Sequence, residues 1–229
     1  TSISTPIPRV DAAEKASGAA EYVADLTVEG MLYARTVRST IPRGAIVSVA
    51  FPETPDGYTF VDWRDIPTGG SNSILMIEDD WPVFARDDIR FLGQTIALVV
   101  GLDRQVLDSL VSHVSVTYDR RSPAYTVDES LALVGGSIHG DDNVIADCHI
   151  QKGDWARALE QAERVIEEEF TTGFQEHVYM EPQGCLMTRE DGVLTLYAST
   201  QCPFYLRKSI AHTLGWAEES IRVVQAHTG

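Results

Sequence analysis

Cysteine, basic charge and long apolar runs are all scarce in this chain. Its 229 residues hold three cysteines, Cys148, Cys185 and Cys202. That is too few for a disulfide scaffold, and they lack the clustered spacing of a zinc or iron–sulfur site. A reducing, cytoplasmic compartment is the expectation. Lysine and arginine number 18 against 34 aspartates and glutamates, a formal net charge of −16. Such an excess of carboxylates repels phosphate backbones and anionic lipids, so neither nucleic acid nor a membrane surface is an expected partner. The longest apolar run, Thr95–Gly101, is strand-sized and falls far short of the roughly 20 residues that span a bilayer. Residues 1–11 are polar, contain two prolines and lack the basic-then-apolar pattern of a signal peptide. The missing initiator methionine points to a trimmed or processed start. Also absent are a glycine-rich nucleotide loop, a histidine pair one helical turn apart around a glutamate, and a serine nucleophile elbow.

What is present is an ordinary globular composition, 44% hydrophobic and 23% charged, enough to bury a real core in one or two domains. Residues 1–25 read as an extended arm. Strands are expected over 31–37 and 45–50, with loops and short strands through 52–82, where turn formers are dense. Residues 89–92 and 95–100 predict a β pair around Gly93. The continuous apolar run 96–100 fits a strand buried on both faces. Asp103 is placed to cap a helix whose stripe is Val106, Leu107, Leu110 and Val111, and residues 114–118 alternate as a returning strand. A short helix over 128–134 and a Gly- and Asp-rich linker over 135–142 follow. Asp154 caps a further helix, and 165–174 predicts a strand.

The last third has the clearest punctuation. Strands over 184–188 and 193–199 are joined at Glu190-Asp191-Gly192, whose Asp-Gly pair favours a tight hairpin. Pro203 opens a helix with Leu206, Ile210 and Leu214 at helical spacing, and Gly215 is its natural cap. A strand over 221–225 follows. The fold class is therefore α+β in two units.

Unaided chemistry is sparse. The run Glu167-Glu168-Glu169 alternates faces in a strand, so a solvated edge is the better reading. Glu78-Asp79-Asp80 is better read as a polar loop than as a cation site. Glu176, His177 and Glu181 have the chemistry of acid–base partners or metal ligands, but polar residues between strands need no such purpose. Cys185 and Cys202 read as core or helix-start cysteines rather than nucleophiles. Gln201 stands where a strand hands over to the Pro203 helix. Free N–H groups and the helix dipole favour anions there, and an amide can donate to an oxo or phosphate oxygen.

Several motifs, in order, resemble the molybdenum-binding subunit of the xanthine dehydrogenase and aldehyde oxidase family. They begin with Pro8-Arg9-Val10-Asp11, Glu14-Lys15, Gly18, Tyr22-Val23-Ala24-Asp25 and Gly30-Met31-Leu32-Tyr33-Ala34 with Arg38-Ser39. Phe91-Leu92-Gly93-Gln94 is similar to the family's hammerhead domain. Gln175-Glu176-His177-Val178-Tyr179-Met180-Glu181-Pro182-Gln183, Ser199-Thr200-Gln201 and Gln225-Ala226-His227-Thr228-Gly229 are similar to the start of its molybdopterin-binding domain. The resemblance implies an arm over 1–25, an α/β hammerhead domain over 26–135, a linker over 136–153, and over 154–229 the beginning of a mixed α+β molybdopterin-binding domain.

It also implies molybdopterin as cofactor, its cytosine dinucleotide form included. Gln201 would lie beside the molybdenum without ligating it, and Gly229 would touch the cofactor at the opening of a glycine-rich loop. No catalytic residue is expected within the chain, because the family's general base falls beyond Gly229. The 2Fe-2S clusters and FAD are expected on partner subunits, beside a chain carrying the remaining molybdopterin-binding portion. The implied reaction is hydroxylation of an N-heterocycle, a purine or relative, or of an aldehyde, with water-derived oxygen. The alternatives are a non-catalytic scaffold or docking fragment of such an enzyme and an acidic β-rich domain for a small molecule or carbohydrate. Under that last reading Trp63, Trp81, Trp155 and Trp216 would stack on sugars, although they are scattered along the chain. The Pro203 helix with Val223 and Val224 is the expected docking surface.

Overall fold

A computed structural model describes residues 4–75, 79, 81–179 and 181–229. Thr1–Ser122 and Met180–Gly229 form one compact unit, and Pro123–Tyr179 forms a second.

The first unit opens with a helix, α1 (Ala12–Ser17), ended by Gly18 in the left-handed region at φ 76°. The expected extended arm is thus partly helical, because glycine supplies the cap that stops a short helix cleanly. Strands β1 (Tyr33–Arg38), β2 (Gly44–Ala50), β3 (Thr59–Asp62), β4 (Asp88–Ile89), β5 (Thr95–Gly101) and β6 (Ser115–Arg120) build two antiparallel sheets, ordered β1-β5-β3 and β4-β2-β6. Helix α2 (Arg104–Ser112) lies against β1 and β5. Its Asp103 cap accepts hydrogen bonds from Gln105 and Val106 N–H at 2.7 and 3.1 Å, as expected of an N-cap.

β5 is the central strand of its sheet, in line with its continuous apolar sequence. Ile96, Ala97 and Val99 are buried, and Leu107 and Leu110 of α2 close over Val99. Val37, Ile41, Ala85 and Ile89 join Ile96 and Ala97 in the main core. Each of the valine, leucine and isoleucine side chains among these contributes about 1.5–3 kcal/mol on removal from water. Gly101 has no room for a side chain: an added Cβ would stand 2.1 Å from the Tyr58 ring.

One expected pairing does not form. The segments flanking Gly93 do not make a hairpin. β4 pairs with β2 (Gly44↔Ile89), while β5 pairs with β1 and β3. The turn between them is where the chain changes sheets, tied to the end of β1 by Ser39 N–H to Gln94 O at 2.9 Å and Gly93 N–H to Ser39 O at 3.1 Å. Both edges of β5 are already occupied, so β6 takes the open edge of β2, antiparallel to it (Val49↔Val116).

The remainder of the first unit is a third sheet, β7 (Cys185–Glu190), β8 (Val193–Ala198) and β9 (Ile221–Gln225), in the order β7-β8-β9. The β7–β8 turn is the expected Asp191-Gly192 hairpin. Both residues adopt positive φ, 49° and 81°, and Glu190 pairs with Val193. Helix α5 (Pro203–Leu214) begins with Pro203 and ends at Gly215, φ 67°, as the sequence predicts. It carries the chain to β9, which lies parallel to β8.

Residues 70–75 run along α5. Ser71 N–H reaches His212 O at 3.1 Å, Ser209 Oγ donates to Leu75 O at 3.0 Å, and Thr213 Oγ1 donates to Ser73 O at 3.2 Å. The contact is close enough that a Cβ on Gly70 would sit 2.1 Å from Thr213 O. Part of the proposed docking helix is therefore already covered by this chain: Ser209 and Ala211 are buried, while Phe204 and Tyr205 at its start are exposed. Val223 and Val224 are half-buried.

The second unit holds α3 (Val127–Leu131) and α4 (Trp155–Glu160). Asp154 caps α4 as expected, accepting from Arg157 N–H at 3.0 Å. Residues 165–174 form no strand, and Val165, Ile166, Phe170 and Phe174 are exposed. No strand is present among the described residues of this unit, so the segment lacks the ladder that would satisfy its backbone.

Candidate functional site

Because β8 and β9 are parallel, their C-terminal ends open at the same edge of the third sheet. That is the edge at which open α/β sheets receive ligands. Ala226 N–H to Ala198 O at 2.9 Å continues the ladder one step past the strands. The β8–α5 connection, with Gln201, and residues 226–229 therefore leave from neighbouring strands on one side. Gln201 is exposed. No side chain caps α5, whose N-cap residue is Cys202, so the positive end of this twelve-residue helix has no capping side-chain acceptor.

The polar ties at this edge are specific. Gly229 N–H donates to the Glu181 carboxylate. Ser199 Oγ donates to Pro182 O at 3.3 Å, and Cys202 N–H to Thr200 Oγ1 at 3.1 Å. Residues from three separated motifs, 181–182, 199–202 and 226–229, are thereby assembled. Glu181 has a definite part here, as a holder of backbone. His177 lies in the second unit and is exposed, and Glu176 there accepts from Val178 N–H at 3.4 Å.

α1 and the turn that follows it also reach this edge, a connection for which the sequence assigned no role. Lys15 pairs with Asp11 at 2.9 Å, one helical turn away, and donates to Thr228 O. His227 Nε2 stands 3.4 Å from the Glu14 carboxylate, and the Tyr22 ring meets the His227 ring edge-on, 6.4 Å between centroids. The Lys15 ammonium first, then the Arg9 guanidinium, hold the Asp11 carboxyl down to about 2. Between arm and sheet lies an open groove of about 450 Å³, lined by Asp11, Glu21, Tyr197, Gln225, His227 and Thr228 among others. Asp11, Glu14, Lys15, Tyr22, His227 and Thr228 all stand in the family-like motifs of the sequence, but nothing in the sequence joined them.

A second cluster joins Ser73 and Asp79 to α5. His212 Nε2 lies 2.9 Å from Asp79 Oδ1 and 3.1 Å from Ser73 Oγ. The Ser73 hydroxyl, then His212, hold the Asp79 carboxyl below its ordinary range. The three residue types are those of a hydrolytic triad, but serine and aspartate address the same ring nitrogen. A nucleophile relay needs them on opposite nitrogens, so this is a structural tie. Of the acidic run 78–80, Glu78 and Asp80 lie outside the described residues.

Among the described residues no group of three or more His, Cys, Asp or Glu side chains is placed to hold a metal. All three cysteines are free and exposed. Cys202 does stand at a helix start, but Cys185 opens an exposed strand end instead of filling a core. The tryptophans do not converge: Arg86 covers Trp63 at 4.6 Å, Arg189 covers Trp216 at 5.0 Å, Trp81 packs on Phe91, and Trp155 is exposed. Among the described residues no helix is long and apolar enough to cross a membrane.

Two family models match the chain. The a/b hammerhead domain of aldehyde oxidase and xanthine dehydrogenase covers residues 17–122, and the molybdopterin cofactor-binding domain covers residues 138–229. The chain belongs to the xanthine dehydrogenase and aldehyde oxidase family. The two β1–β6 sheets with α2 are thus its hammerhead domain, and the β7–β9 edge lies in its molybdopterin-binding domain.

Over 225 residues the chain is 32% identical to the nicotinate dehydrogenase large molybdopterin subunit of Eubacterium barkeri, covering 96% of this chain and 52% of that subunit. It is 32% identical to abscisic-aldehyde oxidase of Arabidopsis thaliana, covering 99% of this chain and 18% of that protein. Among solved structures, the aldehyde oxidoreductase of Desulfovibrio desulfuricans shares the fold with a TM-score of 0.81 at 20% identity, over 96% of this chain and 26% of that one. Quinoline 2-oxidoreductase of Pseudomonas putida 86 does so at 0.75 and 22%, over 97% and 30%. The chain therefore spans about half or less of the relatives it matches.

Proposed function

We propose that this chain supplies the hammerhead domain and the first part of the cofactor-binding domain of a molybdenum hydroxylase. Such an enzyme would hydroxylate an N-heterocycle or an aldehyde with oxygen taken from water. The observation that carries this reading is the shared edge of β8 and β9, from which the segments holding Gln201, the uncapped start of α5 and Gly229 leave neighbouring strands.

The donor set fits molybdopterin. An exposed amide, helix N–H groups and a backbone glycine suit the oxo, phosphate and pterin acceptors of that group, and no protein metal ligand is called for. When bound, the cofactor supplies the redox chemistry of the hydroxylation. Gln201 would donate its amide N–H to an oxo group and so fix the orientation of the centre without ligating it. Gly229 would let the backbone approach the pterin closely. Glu181 would hold Gly229 in place through its N–H. No catalytic base is assigned among residues 1–229.

The cytosine dinucleotide form of the cofactor, 2Fe-2S and FAD partner subunits, a separate chain with the remaining molybdopterin-binding portion, and a cytoplasmic setting belong to the same proposal. The free cysteines and the acidic charge agree with it.

The test is purification of the native complex, with molybdenum and pterin measured per chain, followed by Gln201→Ala. The expected result is a molybdopterin-containing complex whose hydroxylation rate falls about 10²-fold in the variant, the usual cost of one charge-stabilising donor. A metal-free monomer from the native host overturns the reading. A loaded complex with no hydroxylase activity on any heterocycle or aldehyde would leave the chain a scaffold.

A further inference from the structure

The arm deepens that reading and rests on it. We infer that Lys15 and Glu14 are positioning residues for the cofactor edge. They hold His227 and Thr228, and with them Gly229, in the conformation that molybdopterin requires.

α1 buries none of its residues, so apolar packing does not explain where it lies. The polar ties do. Lys15 is largely covered, 17% exposed, and spends its donors on Asp11 and on a carbonyl 213 positions away in sequence. A lysine committed to one strand-exit carbonyl gives up side-chain entropy, so this one is held in place by what surrounds it. Glu14 takes the neighbouring His227, and Glu181 takes the N–H of Gly229. Three successive residues, 227, 228 and 229, are thus each held by a side chain from another part of the chain. Ala226, just before them, is held by the β8 ladder. Past the ladder a strand exit has no register of its own, and here charged side chains set it. Val23, buried in the turn after α1, anchors the far end of the arm beside Gly184.

The experiment uses the full chain and, separately, the complex from its host. Amide exchange is measured on the cofactor-free chain for Lys15→Met, Lys15→Arg and Glu14→Gln. Lys15→Met is expected to speed exchange over residues 226–229 at least 10-fold, with β7 and the body of β8 unchanged. Lys15→Arg restores protection, and Glu14→Gln gives a smaller rise at the same residues. In the complex, Lys15→Met is expected to lower bound molybdopterin per chain several-fold, and Lys15→Arg to recover it. Unchanged exchange at 226–229, or a uniform rise through β7–β9, overturns the inference. Faster exchange with undiminished molybdopterin also overturns it while leaving the proposed function standing. A wild-type complex without molybdopterin removes both. If Lys15→Met fails to fold, Glu14→Gln carries the same comparison.

Discussion

Residues 95–101 and residues 165–174 are both rich in β-branched or aromatic side chains, yet they stand in opposite surroundings. The first is a strand with partners on both edges, whose Ala97 and Val99 are fully buried. The second has no ladder and leaves Ile166, Phe170 and Phe174 exposed. Intrinsic preference is similar, and what differs is the supply of partners. β1 and β3 flank the first segment and α2 closes over it, whereas the Pro123–Tyr179 unit offers its segment no strand among the described residues. The carboxylates at Glu167-Glu168-Glu169 weaken the second segment further, since they gain nothing from burial. Strand propensity is permission to pair, and pairing has to come from elsewhere.

The largest effect should come from breaking the packed side of this contrast. Leu107→Ala removes a fully buried side chain above Val99 and is expected to cost about 2–5 kcal/mol in urea unfolding. Ile166→Ala on the exposed side should change the same transition by no more than about 0.5 kcal/mol. An equal loss at both positions would mean that 165–174 packs as β5 does. Gly101→Ala tests the packing from the strand's end. The new methyl would meet Tyr58 at 2.1 Å, and moving that ring breaks the bond from Asp103 N–H to its hydroxyl at 3.0 Å. About 1–3 kcal/mol is expected. The helix caps sharpen the contrast at lower cost. Asp103→Ala should destabilise by about 1 kcal/mol, because α2 belongs to the core. Asp154 caps a helix that buries nothing, so Asp154→Ala should leave global unfolding unmoved, although it frays α4 in circular dichroism.

The elements that could be read from the sequence were those decided by a few adjacent atoms. Asp103 and Asp154 cap as predicted, Asp191-Gly192 makes the tight hairpin, and Pro203 and Gly215 bound α5. Sheet membership was not readable. Nothing near Gly93 records that β1 and β3 will occupy both edges of β5, and this is what sends β6 to the other sheet. The site divides the same way. Gln201 and Gly229 were singled out, through helix-start chemistry and the family motif, but that they follow neighbouring strands at one sheet edge comes only from the parallel pairing of β8 with β9. The tie from Lys15 to Thr228 crosses nearly the whole chain, and no local pattern encodes an ion pair that also reaches a distant carbonyl.

Helix α1 lies between the two extremes, ordered without burial, and its pH dependence separates charge from packing. Asp11 titrates at about 2 in place of the ordinary value near 3.8, chiefly through the Lys15 hydrogen bond. A lowered folded-state pKa means that the ionised form is the bound form. The contribution is therefore complete above pH 3.8 and lost as pH falls toward 2. Amide exchange of residues 12–18 and 226–229, corrected for its intrinsic pH dependence, should rise together as pH falls below about 4. Asp11→Asn removes the Asp11 titration, so in that variant both segments should exchange faster at neutral pH and lose the part of the acid step that belongs to Asp11. β5 should show no such step at Asp11's titration in either protein. A wild-type profile in which 226–229 stays protected after 12–18 has opened would show that packing at the sheet edge, and not the charged arm, holds the exit of β9.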